Sequence, residues 1–183
     1  MKILDNINHT VREDLQDTMQ KGSRVSIAAA CFSIYAYQEL KKQLEEIAEL
    51  RFIFTSPTFV QENTPKERRE FYIPKLTREK SLYGTEFEVR LRNELTQKAL
   101  AKECADWVRR KVKFRSNVSG EQMPGFMTVG ESSYMPISGF TTVDLGCERG
   151  NNAYYPVQRT EAFENGRYFL SLFDEIWNDS SRL

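Results

Sequence analysis

Apolar residues at Ile3, Ile7, Val11, Leu15 and Met19 recur every fourth position, which predicts a first amphipathic helix ending at Lys21-Gly22. Thr10 followed by Glu13 has the form of a capping box inside that stretch, because each side chain can satisfy the other's backbone N–H. The pattern then changes to a short apolar run, RVSIAAACF at 24–32, of the kind that forms a buried parallel strand. Ser33 is placed to cap a second helix reaching about Leu50, with Ile34, Tyr37, Leu40, Leu44 and Ile47 inward and Lys41, Lys42, Glu45 and Glu46 outward. RFIFT at 51–55 reads as the next strand, so 24–55 is expected to form a βαβ crossover.

Residues 56–84 carry Pro57, Pro65, Pro74 and Gly84 with little periodicity, and predict an ordered loop or hairpin with a short strand at FYI. Thr85 and Glu88 form a second capping box, opening a long helix to about Arg110 with Phe87, Leu91, Leu95, Cys104 and Trp107 on its apolar stripe. Strand candidates follow at VKFRS, GFMTVG, YMPIS and NAYYPVQ. A last helix, about 161–178, is expected to bury Phe163, Tyr168, Leu170, Phe173 and Trp177. Helices and strands interleaved in this way imply one α/β domain over 1–183, long enough to fold on a single core.

Composition narrows the function classes. At 40% hydrophobic and 28% charged residues the chain has the profile of a soluble globular protein, and no run approaches the roughly 18 apolar residues of a membrane helix. The N-terminus lacks the apolar run of a signal peptide, so the cytoplasm is the expected compartment and no membrane partner is expected. Cys31, Cys104 and Cys147 are scattered and odd in number, as reduced thiols would be, and a lone His9 cannot supply a zinc site. No cofactor is implied. His9 itself sits in the leader of the first helix, where a surface or capping role is expected.

The formal net charge of zero conceals a basic centre: residues 65–115 hold 15 Lys and Arg against 8 Asp and Glu, whereas both flanks are acidic. Arg109, Arg110, Lys111, Lys113 and Arg115 place five cations at a helix-to-strand junction, and alternation with Val112 and Phe114 projects Lys113 and Arg115 from one strand face. Lys66, Arg68, Arg69, Lys75, Arg78 and Lys80, with Phe71 and Tyr72, form a second basic and partly aromatic stretch. Neutralising phosphates is how proteins hold a nucleic-acid backbone, so these runs are the candidate nucleic-acid contacts, with Arg68, Arg69 and Lys75 the second group. A solvated face is the competing reading, since Glu67, Glu70 and Glu79 interrupt the second run. Gly120 and Gly125 imitate the start of a P-loop, but Phe126 stands where its lysine belongs. Asp174, Glu175 and Asp179 gather near one helix end as a solvated face would.

Six blocks span nearly the whole chain: RVSIAAACFSIYAYQEL, LRFIFTSPTFV, EFYIPKL, SLYGTEFEVRLRNELTQKALAKECADWVR, SGFTTVDLGCERGNN and LFDEIWND. Together they resemble the phospholipase D-like domain that precedes the ATPase in bacterial Swi/Snf-type helicase-like proteins. The resemblance implies a mixed sheet flanked by helices on both faces, a DNA-binding or targeting role, and a helicase motor of the same chain beyond residue 183. It also implies a protein–protein or homodimerisation module as an alternative role, because domains of this type commonly pair through their sheets. Active members carry HxK and a Gly-Ser-x-Asn segment, and the histidine forms a covalent phosphoenzyme. Here GFMTV at 125–129 occupies the HxK strand and PISGFTTVDLG at 136–146 resembles the Gly-Ser-x-Asn turn. No histidine follows His9 and no lysine follows Lys113. Catalysis is therefore not expected, a residual phosphodiesterase or nuclease using other residues being the alternative. Ser138, Gly139, Thr141 and Thr142 remain as a candidate remnant phosphate pocket on backbone N–H groups, the glycines serving turns otherwise.

Overall fold

In this computed structural model residues 1–55, 60–61, 71–72, 94–150 and 153–183 are described, with backbone alone for 60–61, 71–72 and 94–97. The chain runs β1 (Lys2–Leu4), α1 (Val11–Thr18), β2 (Arg24–Ala29), α2 (Ile34–Glu39), α3 (Lys41–Glu46) and β3 (Glu49–Phe54). A small ladder of β4 (Val60–Gln61) with β5 (Phe71–Tyr72) precedes α4 (Glu94–Lys111) and β6 (Val112–Ser116). Then come β7 (Phe126–Val129), β8 (Ser132–Met135), β9 (Val157–Glu161), a 3-10 turn at Ala162–Glu164 and α5 (Gly166–Asn178).

Seven strands form one mixed sheet in the order β1-β9-β8-β7-β2-β3-β6. β2, β3 and β6 are parallel to their neighbours among themselves, and the remaining pairings are antiparallel. The parallel β2–β3 pair joined through α2 and α3 is the expected βαβ unit. Period-2 alternation divides each strand between two cores. Val25 and Ile27 of β2, Leu50, Phe52 and Phe54 of β3, and Met127 and Val129 of β7 pack into a large core that also holds Leu15 of α1, Leu44 of α3 and Trp107 of α4. Trp107 is fully buried, stacks near Phe32 and Tyr37, and donates its Nε1–H to Leu44 O at 2.9 Å. On the opposite face Ala28, Ile53 and Phe126 meet α5 through Phe169, Leu172, Phe173, Ile176 and Trp177. Helices thus cover both faces of a mixed sheet. Among the described residues no helix is long and apolar enough to cross a membrane.

Three expected elements are shaped differently. The first helix starts at Val11, and Ile3 belongs to β1, where Leu4 pairs with Val157. Asp5 explains the break: its carboxylate accepts the backbone N–H groups of Ile7, Asn8 and His9, an Asx-type turn that competes with helix, and the Thr10–Glu13 capping box opens the helix only afterwards. His9 lies exposed in that turn. Ser33 does cap α2, but the expected single helix divides at Leu40 and ends at Glu46, since Leu50 is drawn into β3 opposite Val25. The last helix starts at Gly166; its inward stripe is the buried Phe173 with the partly buried Phe169, Leu172, Ile176 and Trp177, whereas Phe163 (86% exposed), in the preceding 3-10 turn, and Tyr168 (64% exposed) point outward.

Candidate functional site

The 136–146 turn closes over the carboxyl end of β2. Ala30 N–H donates to Ser138 O, Phe140 N–H to Cys31 O, and Ser33 N–H to Phe140 O, each at 2.9 Å. Gly139 is required by close approach, because a Cβ there would lie 2.7 Å from Cys31 Sγ and 2.9 Å from Asp144 Oδ2. The anion-binding groups expected of this turn face a carboxylate of the same chain. Thr141 Oγ1 donates to Asp144 Oδ2 at 2.5 Å and Tyr155 Oη to Asp144 Oδ1 at 2.5 Å, while the Gly139 amide also bonds the carboxylate. Ser138 N–H donates to Tyr155 Oη at 2.9 Å, and Thr142 Oγ1 donates to Glu148 Oε2 at 3.1 Å. Burial pushes the Asp144 carboxyl above the ordinary aspartate range against the opposing hydrogen bonds of Thr141, Tyr155 and Gly139. Within this turn Gly139 and Thr141 thus bond Asp144, Thr142 bonds Glu148, and the Ser138 amide bonds the Tyr155 hydroxyl. The buried carboxylate satisfies donors that would otherwise be open to an anion.

β7 carries Phe126, Met127, Thr128 and Val129, all buried and none ionisable near neutral pH. No described group of three or more His, Cys, Asp or Glu is arranged to hold a metal. None of the three cysteines is in a disulfide, and burial pushes the Cys104 thiol up to about 12. Between residues 117–124 and α5 lies a cavity of about 420 Å³ whose lining includes Glu121, Glu175, Asp179 and Arg182. Arg182 pairs with Glu121 at 2.8 Å and Asp179 at 3.0 Å, and Ser119 Oγ, also in the lining, donates to Asn117 Oδ1 at 2.7 Å.

The five-cation run at the α4–β6 junction is divided by the sheet. Arg109 pairs with Asp106 at 2.7 Å, Arg110 with Glu45 at 3.0 Å, and Lys111 Nζ donates to Ile47 O at 2.7 Å, all in the layer of α3 and α4. Lys113 and Arg115 project from the other face, as their alternation with the core-packed Val112 and Phe114 requires. The side chains of Lys66, Arg68, Arg69, Phe71, Tyr72, Lys75, Arg78 and Lys80, and the Thr85–Glu88 box, lie outside the described residues.

Strand register adds two cations that the linear reading passed over. Arg24 of β2 stands opposite Glu49 of β3, and Arg51 of β3 stands between Ser26 of β2 and Lys113 of β6. Arg24, Arg51, Lys113 and Arg115 consequently share the α5 side of the parallel strands. Glu49 bridges Arg24 at 3.0 Å and Lys113 at 3.3 Å, and Asp174 holds Arg51 at 2.8 Å. Among the described residues four cations thus meet two carboxylates on this face, a local positive excess. Arg24 and Lys113 are 70% and 69% exposed, so their pairs with Glu49 are weak and exchangeable, whereas Arg51 is 17% exposed. Arg51 lies over Phe173 at 4.9 Å, and Arg115 lies over Trp177 at 4.8 Å while donating to Trp177 O at 2.7 Å. The signal was present as period-2 polarity, Arg24 and Ser26 in RVSIA and Arg51 opening RFIF, inside stretches that read as wholly apolar. No protein-family model and no curated protein matches the chain.

Proposed function

We propose that the chain is a phospholipase D-like domain without its catalytic pair, and that it binds or targets nucleic acid, DNA first, for a Swi/Snf-type helicase motor of the same protein beyond residue 183. The observation that carries the binding role is the basic half-face formed by Arg24, Arg51, Lys113 and Arg115, a positive excess that no described element covers beyond the end of α5. Support for the scaffold comes from the mixed sheet with helices on both faces, and from the apposition of the two degenerate segments: β7 pairs with β2, and the 136–146 turn bonds the residues that follow β2. Support for a non-catalytic role comes from a β7 without an ionisable group and from the Asp144 carboxylate in the turn.

The three exposed cations set a magnitude. Displacing counterions from three phosphates gives a slope of about −2.7 in log affinity against log salt, hence roughly a 40-fold loss of affinity between about 50 and 200 mM salt. Titration of labelled DNA by fluorescence anisotropy tests this directly. Arg24→Gln/Lys113→Gln/Arg115→Gln is expected to abolish most of the affinity and flatten the salt dependence, and Arg109→Gln/Arg110→Gln to change affinity by less than about threefold. An unaltered titration of the triple variant sinks the assignment, and loss in the double variant moves the contact to the end of α4.

A second reading, self-association, is favoured by one observation. At the β1 end of the sheet Met1, Ile3, Phe163 and Tyr168 are exposed, and the N-terminal ammonium pairs with Glu164 beside Phe163. A concentration-independent monomer mass in light scattering counts against it.

A further inference from the structure

We infer that the basic half-face takes the sugar–phosphate backbone of duplex nucleic acid and offers no platform for single-stranded bases, an inference that rests on the binding role proposed above. Tight binding of single strands commonly draws about 1–3 kcal/mol per base from stacking on aromatic side chains. A ring can serve only if one of its faces is free. Among the described residues Trp177 and Phe173 are the aromatics beside the cations, and the surroundings of Trp177 are occupied. Phe173 stacks against it with centroids 5.8 Å apart and planes 19° apart, the Arg115 guanidinium lies 4.8 Å from its centroid, and the Arg51 guanidinium lies 5.6 Å away. Phe173 is fully buried, as is Phe126 beneath it. The exposed Tyr168 is no substitute, because it lies nine residues before Trp177 in α5, about 13 Å along the helix axis.

What remains at the site is charge carried on neighbouring strands. Arg24, Lys113 and Arg115 come from strands β2 and β6 with β3 between them, so they are distributed across about 10 Å of sheet. Such an array is complementary to dense backbone charge, and duplex DNA carries one charge per about 1.7 Å of axis. Counterion release also favours the duplex, with about 0.9 ion per contact against about 0.7 for a single strand. For three contacts, with equal affinity at 1 M salt as reference, that difference amounts to about sixfold at 50 mM.

The experiment uses the 183-residue chain and three labelled 20-nucleotide probes at 50 mM salt: a duplex, an oligothymidine, and a single strand with abasic sites throughout. The expected result is duplex binding at least about threefold tighter than oligothymidine, with the abasic strand within twofold of oligothymidine. Tryptophan fluorescence supplies an independent readout, because Trp107 is fully buried and Trp177 is the other tryptophan of the chain. Saturation with oligothymidine is expected to leave the emission unquenched. A duplex preference below threefold, an abasic strand bound more than fivefold weaker, or quenching by oligothymidine overturns the inference while leaving the binding role intact. Failure of all three probes to bind overturns both.

Discussion

Asp144 offers the sharpest test of how the 136–146 turn is held together. Its side chain is 7% exposed and accepts from the Thr141 hydroxyl, the Tyr155 hydroxyl and the Gly139 amide, while its own N–H donates to Thr141 Oγ1 at 3.2 Å. Asp144→Ala removes the acceptor and strands up to four buried donors, the Thr141 amide being the fourth. Each orphaned buried donor costs about 1–3 kcal/mol, but the two hydroxyls can rotate toward other acceptors, which brings the total to about 4 kcal/mol. That is a large part of the roughly 5–15 kcal/mol by which a domain is stable. Asp144→Asn keeps the shape, keeps one carbonyl acceptor and gives a rotated hydroxyl an amide donor, so its cost is expected at about 1–2 kcal/mol. Urea unfolding followed by far-UV circular dichroism measures both, with equal m-values as the check that the same transition is compared. An Asp144→Ala midpoint implying less than about 1 kcal/mol would refute the view that this carboxylate satisfies the turn.

Two further outcomes follow from the packing. A Cβ at Gly125 would sit 1.8 Å from Ile137 O, a backbone atom held beside it by the Ile137 N–H to Gly125 O bond at 2.9 Å; Gly125→Ala is expected to cost more than about 3 kcal/mol, and a wild-type melting temperature would contradict that geometry. Asp14 is 4% exposed, and although burial pushes its carboxyl up, Lys2 at 2.6 Å, Tyr134 Oη at 2.8 Å and Arg159 at 3.1 Å outweigh it and hold the pKa below the ordinary value. A lowered folded pKa contributes stability that is complete above the unfolded value, about 3.9, and is lost as pH falls through the folded one. The stability gap between wild type and Asp14→Asn is therefore expected to be widest near neutrality and to close below about pH 4, and urea midpoints showing a gap constant from pH 7 to 2.5 would contradict the pairing.

Local signals in the chain settled a good deal without a structure. The Thr10–Glu13 box, the Ser33 cap and the alternation in VKFRS depend on residues three or fewer apart, where the backbone's unsatisfied N–H groups and the pleat of a strand leave few alternatives. The α/β class and the βαβ unit follow from the same short-range patterns. Absence of histidine after His9 and of lysine after Lys113 removes the HxK chemistry on any alignment.

Tertiary structure decided the rest because it turns on which distant segments meet. The i+4 periodicity of Ile3 and Ile7 was genuine, yet Asp5 could close a competing turn and Leu4 could pair with Val157, a partner more than 150 residues away. Arg24 and Arg51 joined Lys113 and Arg115 only through the register of three parallel strands, whereas Arg109 and Arg110, adjacent in sequence to Lys113, were carried to the other side by the end of α4. Asp144 likewise took the donors of its own turn only when Tyr155 and Gly139 were folded around it. Side-chain type and spacing determine what a segment can do locally; which charges share a face, and which donors are already satisfied, is set by non-local pairing that the linear pattern does not encode.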